Sequence, residues 1–306
     1  MNARIIVACL TAAPLLVAAS PEPVPVRLKP SSPWQLDYAE NSCRLARTFG
    51  EGENETLLLF ESTSPHSISM LAIGKPLGTS KNEVTARFPP LEHEPIKGDP
   101  AKSATDKQPA IHWLRIPLLP DHIVAREKAL EEKVTSGIRP PPIDLEERAA
   151  TWAARQAFAQ AAREIEIDTR RKRPVILETG SLGKPIKMFD ECARNSLRDW
   201  GVDPDLEDRI ARPVWAPDAA RWFTTDDYPR EMVRLGKQSD VSARLLVDAA
   251  GKVTSCASLS HFDAPQSNKV VCEIFKKRAK FEPAELADGT KVPSYYTVNV
   301  RFVMPR

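Results

Sequence analysis

Two stretches near the C-terminus alternate apolar and polar residues with a period of two. In DVSARLLVD (240–248) the residues Val241, Ala243, Leu245 and Val247 fall on one face. In YYTVNVRFV (295–303) the residues Tyr296, Val298, Val300 and Phe302 alternate against Thr297, Asn299 and Arg301. Only an extended chain sends every second side chain to the same side, so both segments read as half-buried strands.

The residues between them complete a small unit. Ala249-Ala250-Gly251 makes a turn, with Gly251 free to take the positive φ a hairpin requires, and KVTSCASLS (252–260) returns as a second strand. APQSNKVVCEIFKKRAK (264–280) places Val271, Cys272, Phe275 and Ala279 on one helical face. In KFEPAELADG (280–289) Pro283 stops that helix at about Phe281, and a new extended element is expected after the Asp288-Gly289 turn. With a short lead-in helix, YPREMVRLG (228–236), the order is β-β-α-β with a three-stranded antiparallel sheet.

This string resembles the TonB C-terminal domain. The shared features are Tyr228-Pro229, Val247-Asp248 with Gly251 and Val253, Phe281-x-Pro283-Ala284, Gly289-x-x-Val292 and the final Phe302. The family usually carries Ser-Ser-Gly and Leu-Asp before the helix, where this chain has LSHFDAPQSN (259–268). The resemblance covers residues 226–306. It implies a protein-binding module whose final strand accepts an extended peptide, as from the N-terminal box of an outer-membrane transporter. The binding residues are then Tyr296, Val298, Asn299, Val300 and Arg301. Main-chain bonds to an edge strand supply affinity in that mode, and side chains supply selectivity. The competing occupants of the edge are the first domain and the mate of a homodimer.

The rest of the chain divides by composition. Arg4 followed by the apolar run Ile5 to Val17 and the small residues Ala18-Ala19 reads as an export signal, 1–19. Residues 20–33 are a proline-spaced extended linker, 34–201 a mixed domain of helices and strands, and 202–225 an interdomain connection rich in Trp and Pro. Strands are expected at 40–50, 55–62, 67–74, 110–119 and 173–180. Helices are expected at 122–135, at 143–166 with Asp144 as N-cap, and at 187–201 closed by Gly201. The fold class is therefore α+β, with two domains.

Export places the cysteines in an oxidising compartment. Cys9 leaves with the signal, and Cys43, Cys192, Cys256 and Cys272 allow three pairings. Cys256 lies in a strand and Cys272 on the helix face that covers it, which favours Cys256–Cys272 and leaves Cys43–Cys192.

Chemistry is scarce. VILETGS (175–181) resembles the Asp-Thr-Gly-Ser loop of aspartic proteases, but Glu178 stands where Asp is needed and no second such loop exists. Histidines 66, 93, 112, 122 and 261 show no metal-ligand spacing, and there is no nucleophile elbow, phosphate loop or dinucleotide fingerprint. DTRRKRP (168–174) is a short basic run, yet 43 basic residues against 41 acidic ones give no field for nucleic acid. The sequence points to a periplasmic, non-enzymatic TonB-family protein without cofactor, linked to transport across the outer membrane. The alternatives are an energy transducer held in the inner membrane by an uncleaved N-terminus, and a hydrolase with its site in residues 34–201.

Overall fold

The computed structural model describes residues 23–304 apart from 66, 79–82, 103–107, 171–172, 237 and 260–264. The export signal read at 1–19 lies outside the described residues, as do His66 and His261.

The first unit opens with β1 (Val26–Leu28), β2 (Gln35–Ala39), β3 (Ser42–Phe49), β4 (Thr56–Ser62) and β5 (Ser69–Gly74). It continues with β6 (Val84–Arg87), β7 (Ile96–Lys102) and β8 (Pro109–Trp113), then the helices α1 (Asp121–Thr135) and α2 (Leu145–Ala161). β9 (Ile165–Asp168), β10 (Val175–Leu177) and α3 (Gly183–Asp199) finish it.

Ten strands make one sheet, ordered β1-β10-β9-β6-β7-β8-β5-β4-β3-β2. β1 runs parallel to β10, with Val26 opposite Val175. The chain then passes directly to the other end of the sheet. Gly50 N donates to Lys29 O at 2.8 Å and Ser31 N to Thr48 O at 2.9 Å, with Pro30 bridged to Phe49. Residues 26–31 thus join the two ends of the sheet. Its enclosed side carries Leu45, Phe49, Leu58, Phe60, Met70 and Trp113, all buried. Gly98 is required there, because a Cβ would lie 2.5 Å from Trp113 Nε1. Trp113 donates that N–H to Ile96 O at 3.1 Å.

α2 and α3 close this core with Phe158, Ala159, Ile186, Phe189 and Cys192. Asp144 caps α2 by accepting from the N–H groups of Glu146 and Glu147, at 2.9 and 3.2 Å. Between the two helices Arg155 forms a buried ion pair with Asp190, which also accepts from Gln156 Nε2 at 2.8 Å. Burial pushes the Asp190 carboxyl up to about 6, against the opposing pull of Arg155.

The second unit contains α4 (Pro204–Glu207), β11 (Ile210–Arg212), α5 (Arg230–Leu235), β12 (Ser239–Val247) and β13 (Val253–Ser258). α6 (Pro265–Arg278), β14 (Ala284–Leu286), β15 (Lys291–Val292) and β16 (Ser294–Phe302) complete it. One antiparallel sheet has the order β13-β12-β16, and a smaller one the order β11-β14-β15. Val271, Ile274 and Phe275 of α6 pack on Val241, Ala243, Leu245 and Val247 of β12.

Several elements differ from the sequence reading in length or number. Strand 110–119 stops at Trp113, where Pro117 and Pro120 remove donors and Leu118 takes φ 49°. Ala284–Leu286 is already a strand before the Asp288-Gly289 turn, because that turn folds it onto Lys291–Val292. Within the connecting stretch 202–225, β11 pairs with β14, while Val214, Ala216 and Trp222 enter the second core.

Candidate functional site

The family-like residues of the second unit meet in pairs. Asp248 accepts from the N–H groups of Ala250 and Lys252, each at 2.9 Å, which holds the hairpin turn. Gly251 has φ +79°, and a Cβ there would lie 2.0 Å from Phe281 O. Phe281 N donates to Gly251 O at 3.2 Å, so the hairpin turn and the helix exit are locked together. The Phe281 ring sits 4.9 Å from Trp222 and 5.0 Å from Tyr296. Tyr228 stacks edge-on to Phe302 at 5.3 Å, joining the lead-in to the last strand. The Asp248-Gly251 turn, Phe281 and the Tyr228–Phe302 pair thus close the small core through direct contacts.

That closure leaves β16 on an edge. It pairs with β12 from Ser294 opposite Val247 to Phe302 opposite Ser239, and no other strand adjoins it among the described residues. Tyr296, Val298 and Val300 pack against the helix-side core and are half-buried. Thr297, Asn299 and Arg301 are exposed on the opposite, outer face. Asn299 Oδ1 accepts from Ser242 Oγ of β12 at 2.6 Å. The structure thus gathers Tyr296, Val298, Asn299, Val300 and Arg301 on one open strand. Such a strand presents main-chain donors and acceptors to whatever lies beside it.

The outer face is not free along its whole length. Arg244 of β12, opposite Thr297 in register, is buried against the first unit. Its guanidinium lies 3.4 Å from the Trp200 ring centroid and donates to Asn41 Oδ1 at 3.0 Å. Weaker bonds run to the carbonyls of Thr63 and Asn41, at 3.4 and 3.5 Å. Loss of hydration brings the Arg244 pKa down to about 10. Tyr295 donates to Pro65 O at 3.4 Å and meets Trp200 edge-on at 5.9 Å. Burial drives its phenol well above the usual range, and Glu207 adds to the shift. Ser294 Oγ donates to the Glu207 carboxylate at 2.7 Å. Burial raises the Glu207 pKa more than the Ser294 hydrogen bond lowers it.

Sequence reasoning missed Arg244, Tyr295, Trp200 and Glu207. Alternation marks Arg244 and Tyr295 as outward, and nothing local says that outward here means against another domain.

The four cysteines pair as Cys43–Cys192, with Cα atoms 6.1 Å apart, and Cys256–Cys272, with Cα atoms 5.6 Å apart. Both separations suit a disulfide. The first ties β3 to α3, and the second ties β13 to α6.

Glu178 is engaged by Arg27 at 2.8 Å, and Thr179 Oγ1 lies 2.9 Å from the carbonyls of both Arg163 and Gly180, to one of which its single proton is donated. Among the described residues no group of His, Cys, Asp and Glu is arranged to hold a metal ion. A cleft of about 280 Å³ lies between the lead-in and α6, where Arg278 is bonded to Asp227 at 2.6 Å.

No curated protein and no solved structure matches the chain. Residues 225–304 match the family model described as Gram-negative bacterial TonB protein C-terminal, so the second unit of this chain carries a TonB C-terminal domain.

Proposed function

We propose that the chain is an exported, non-enzymatic member of the TonB family that works in the periplasm. It binds a partner protein by strand addition along β16, in support of transport across the outer membrane. The observation that carries this reading is the open edge of β16 inside a segment that matches the family model. TonB C-terminal domains are protein-interaction modules of the cell envelope, and an outer-membrane transporter is the partner that suits the family. Two disulfide-bonded pairs fit an oxidising compartment. Among the described residues no helix is long and apolar enough to cross a membrane.

The test is capture from detergent-solubilised outer membranes by the full oxidised chain. Adjacent amides of a strand point to opposite edges, so Val298→Pro and Asn299→Pro between them remove an outward donor. The account expects capture to be lost in at least one of these variants while its melting curve is retained. Capture that survives in both refutes strand addition. Fractionation addresses the transducer alternative: a soluble periplasmic protein starting near Ser20 has no N-terminal anchor.

A further inference from the structure

Main-chain pairing does not by itself fix where a bound strand starts. Every residue offers the same donor and acceptor, and a slip of two residues keeps both faces in place. In this chain the two ends of the β16 edge differ. At its start, Ser294 is bonded to Glu207, and Tyr295 is enclosed by Pro65 and Trp200. Trp200 in turn is held by Arg244. Two residues further on, Thr297, Asn299 and Arg301 are exposed. On β16 the first unit therefore covers the outer face at Tyr295 while Thr297, Asn299 and Arg301 are exposed, and on β12 its cover reaches Arg244.

We infer that the first unit is an end stop that sets the register of the strand added to β16. This rests on the strand-addition reading. A neighbouring strand lies about 4.8 Å away. A side chain that it presents on the outer face beside Tyr295 meets the segment carrying Pro65. One presented beside Thr297, Asn299 or Arg301 meets solvent.

The occupant is an extended segment of a partner protein with alternating character. Apolar residues face Tyr296, Val298 and Val300, whose half-buried rims gain cover, and polar residues face outward. Sliding this segment by two residues toward Ser294 drives its leading residue against the first unit. Sliding it the other way forfeits rim contacts.

Random decapeptides displayed on phage provide the probe, selected on the full oxidised chain. Peptides whose binding is lost in Val298→Pro or Asn299→Pro are lengthened by two tryptophans at one terminus or the other. The expected result is that lengthening one terminus weakens binding by about tenfold or more, some 1.4 kcal/mol, while lengthening the other does not. The penalty should shrink in Arg244→Ala combined with Trp200→Ala, which removes the guanidinium and the ring that pack the first unit against the outer face at Tyr295. Equal effects at both termini overturn the end stop and leave strand addition standing. Peptides whose binding survives both proline variants lie elsewhere and overturn the two readings together.

Discussion

The guanidinium of Arg244 lies 3.4 Å from the centroid of the Trp200 ring, one of several contacts between the two units, beside the bonds of Arg148 to the carbonyls of Glu207, Asp208 and Ile210 and the Arg139–Glu282 ion pair. A desolvated cation–π contact contributes about 2 kcal/mol, whereas burying an ion costs several kcal/mol. Arg244 forms no ion pair among the described residues, and its bonds to Asn41 and Thr63 offset part of that cost. Arg244→Ala should therefore loosen the contact and leave each core folded. Limited proteolysis should then cut faster around Asn41 and Thr63, which receive the guanidinium, while the segment 202–210 stays held by Arg148 and Arg194. An unchanged digestion pattern contradicts a holding role for Arg244.

Phe281 is buried between Trp222 and Tyr296, and its backbone is locked to Gly251. Truncation to alanine removes a buried ring at the centre of a small core. Phe281→Ala should cost about 3–5 kcal/mol. Thermal melting of the full oxidised chain reads this as an early transition assigned to the second unit. Melting identical to the parent shows that the ring carries no packing energy.

The disulfides should contribute more for the longer loop, growing with the logarithm of its length. Cys256 and Cys272 are separated by 16 residues and Cys43 and Cys192 by 149. Loop-closure entropy then gives about 3 kcal/mol for the first and about 5 kcal/mol for the second, less any strain. Peptide mapping without reductant should recover these two linkages. A crossed pair contradicts the structure, and reduction should lower the melting temperature of both units.

Asp190 gives the first unit a pH dependence. Its folded pKa, about 6, stands above the unfolded value because burial outweighs Arg155. The folded state holds this proton more tightly, so the associated stability is fully present below about pH 4 and is lost as pH rises through about 6. The change is on the order of 2 kcal/mol. Denaturant midpoints between pH 4 and 7 should fall with rising pH in the parent and flatten in Asp190→Asn. A midpoint that rises over this window, with the variant unaltered, contradicts the assignment.

The second unit was legible because its signals are local. Alternation at Val241–Val247 and Tyr296–Phe302, and the punctuation at Gly251, Pro283 and Gly289, each act within a few residues. Most of the large sheet was not. β7 contains Gly98 and Pro100, which read as breakers, and its neighbours β6 and β9 are only four residues long. β1 was read as extended, but its partner β10 is distant in sequence, and pairing of that kind leaves no local periodicity. The edge position of β16 was legible because strand order puts the last strand outside. The enclosure of Tyr295 was not found, because it depends on where Pro65 and Trp200 arrive from another unit.

Amide hydrogen exchange along residues 296–303 tests the central claim most directly. The full oxidised chain is compared alone and with the partner captured from outer membranes. The account predicts that every second amide of this strand, those pointing away from β12, becomes protected on binding, while the edge of β13 is unchanged. Unaltered exchange along β16 in a chain that has bound its partner contradicts strand addition at this edge.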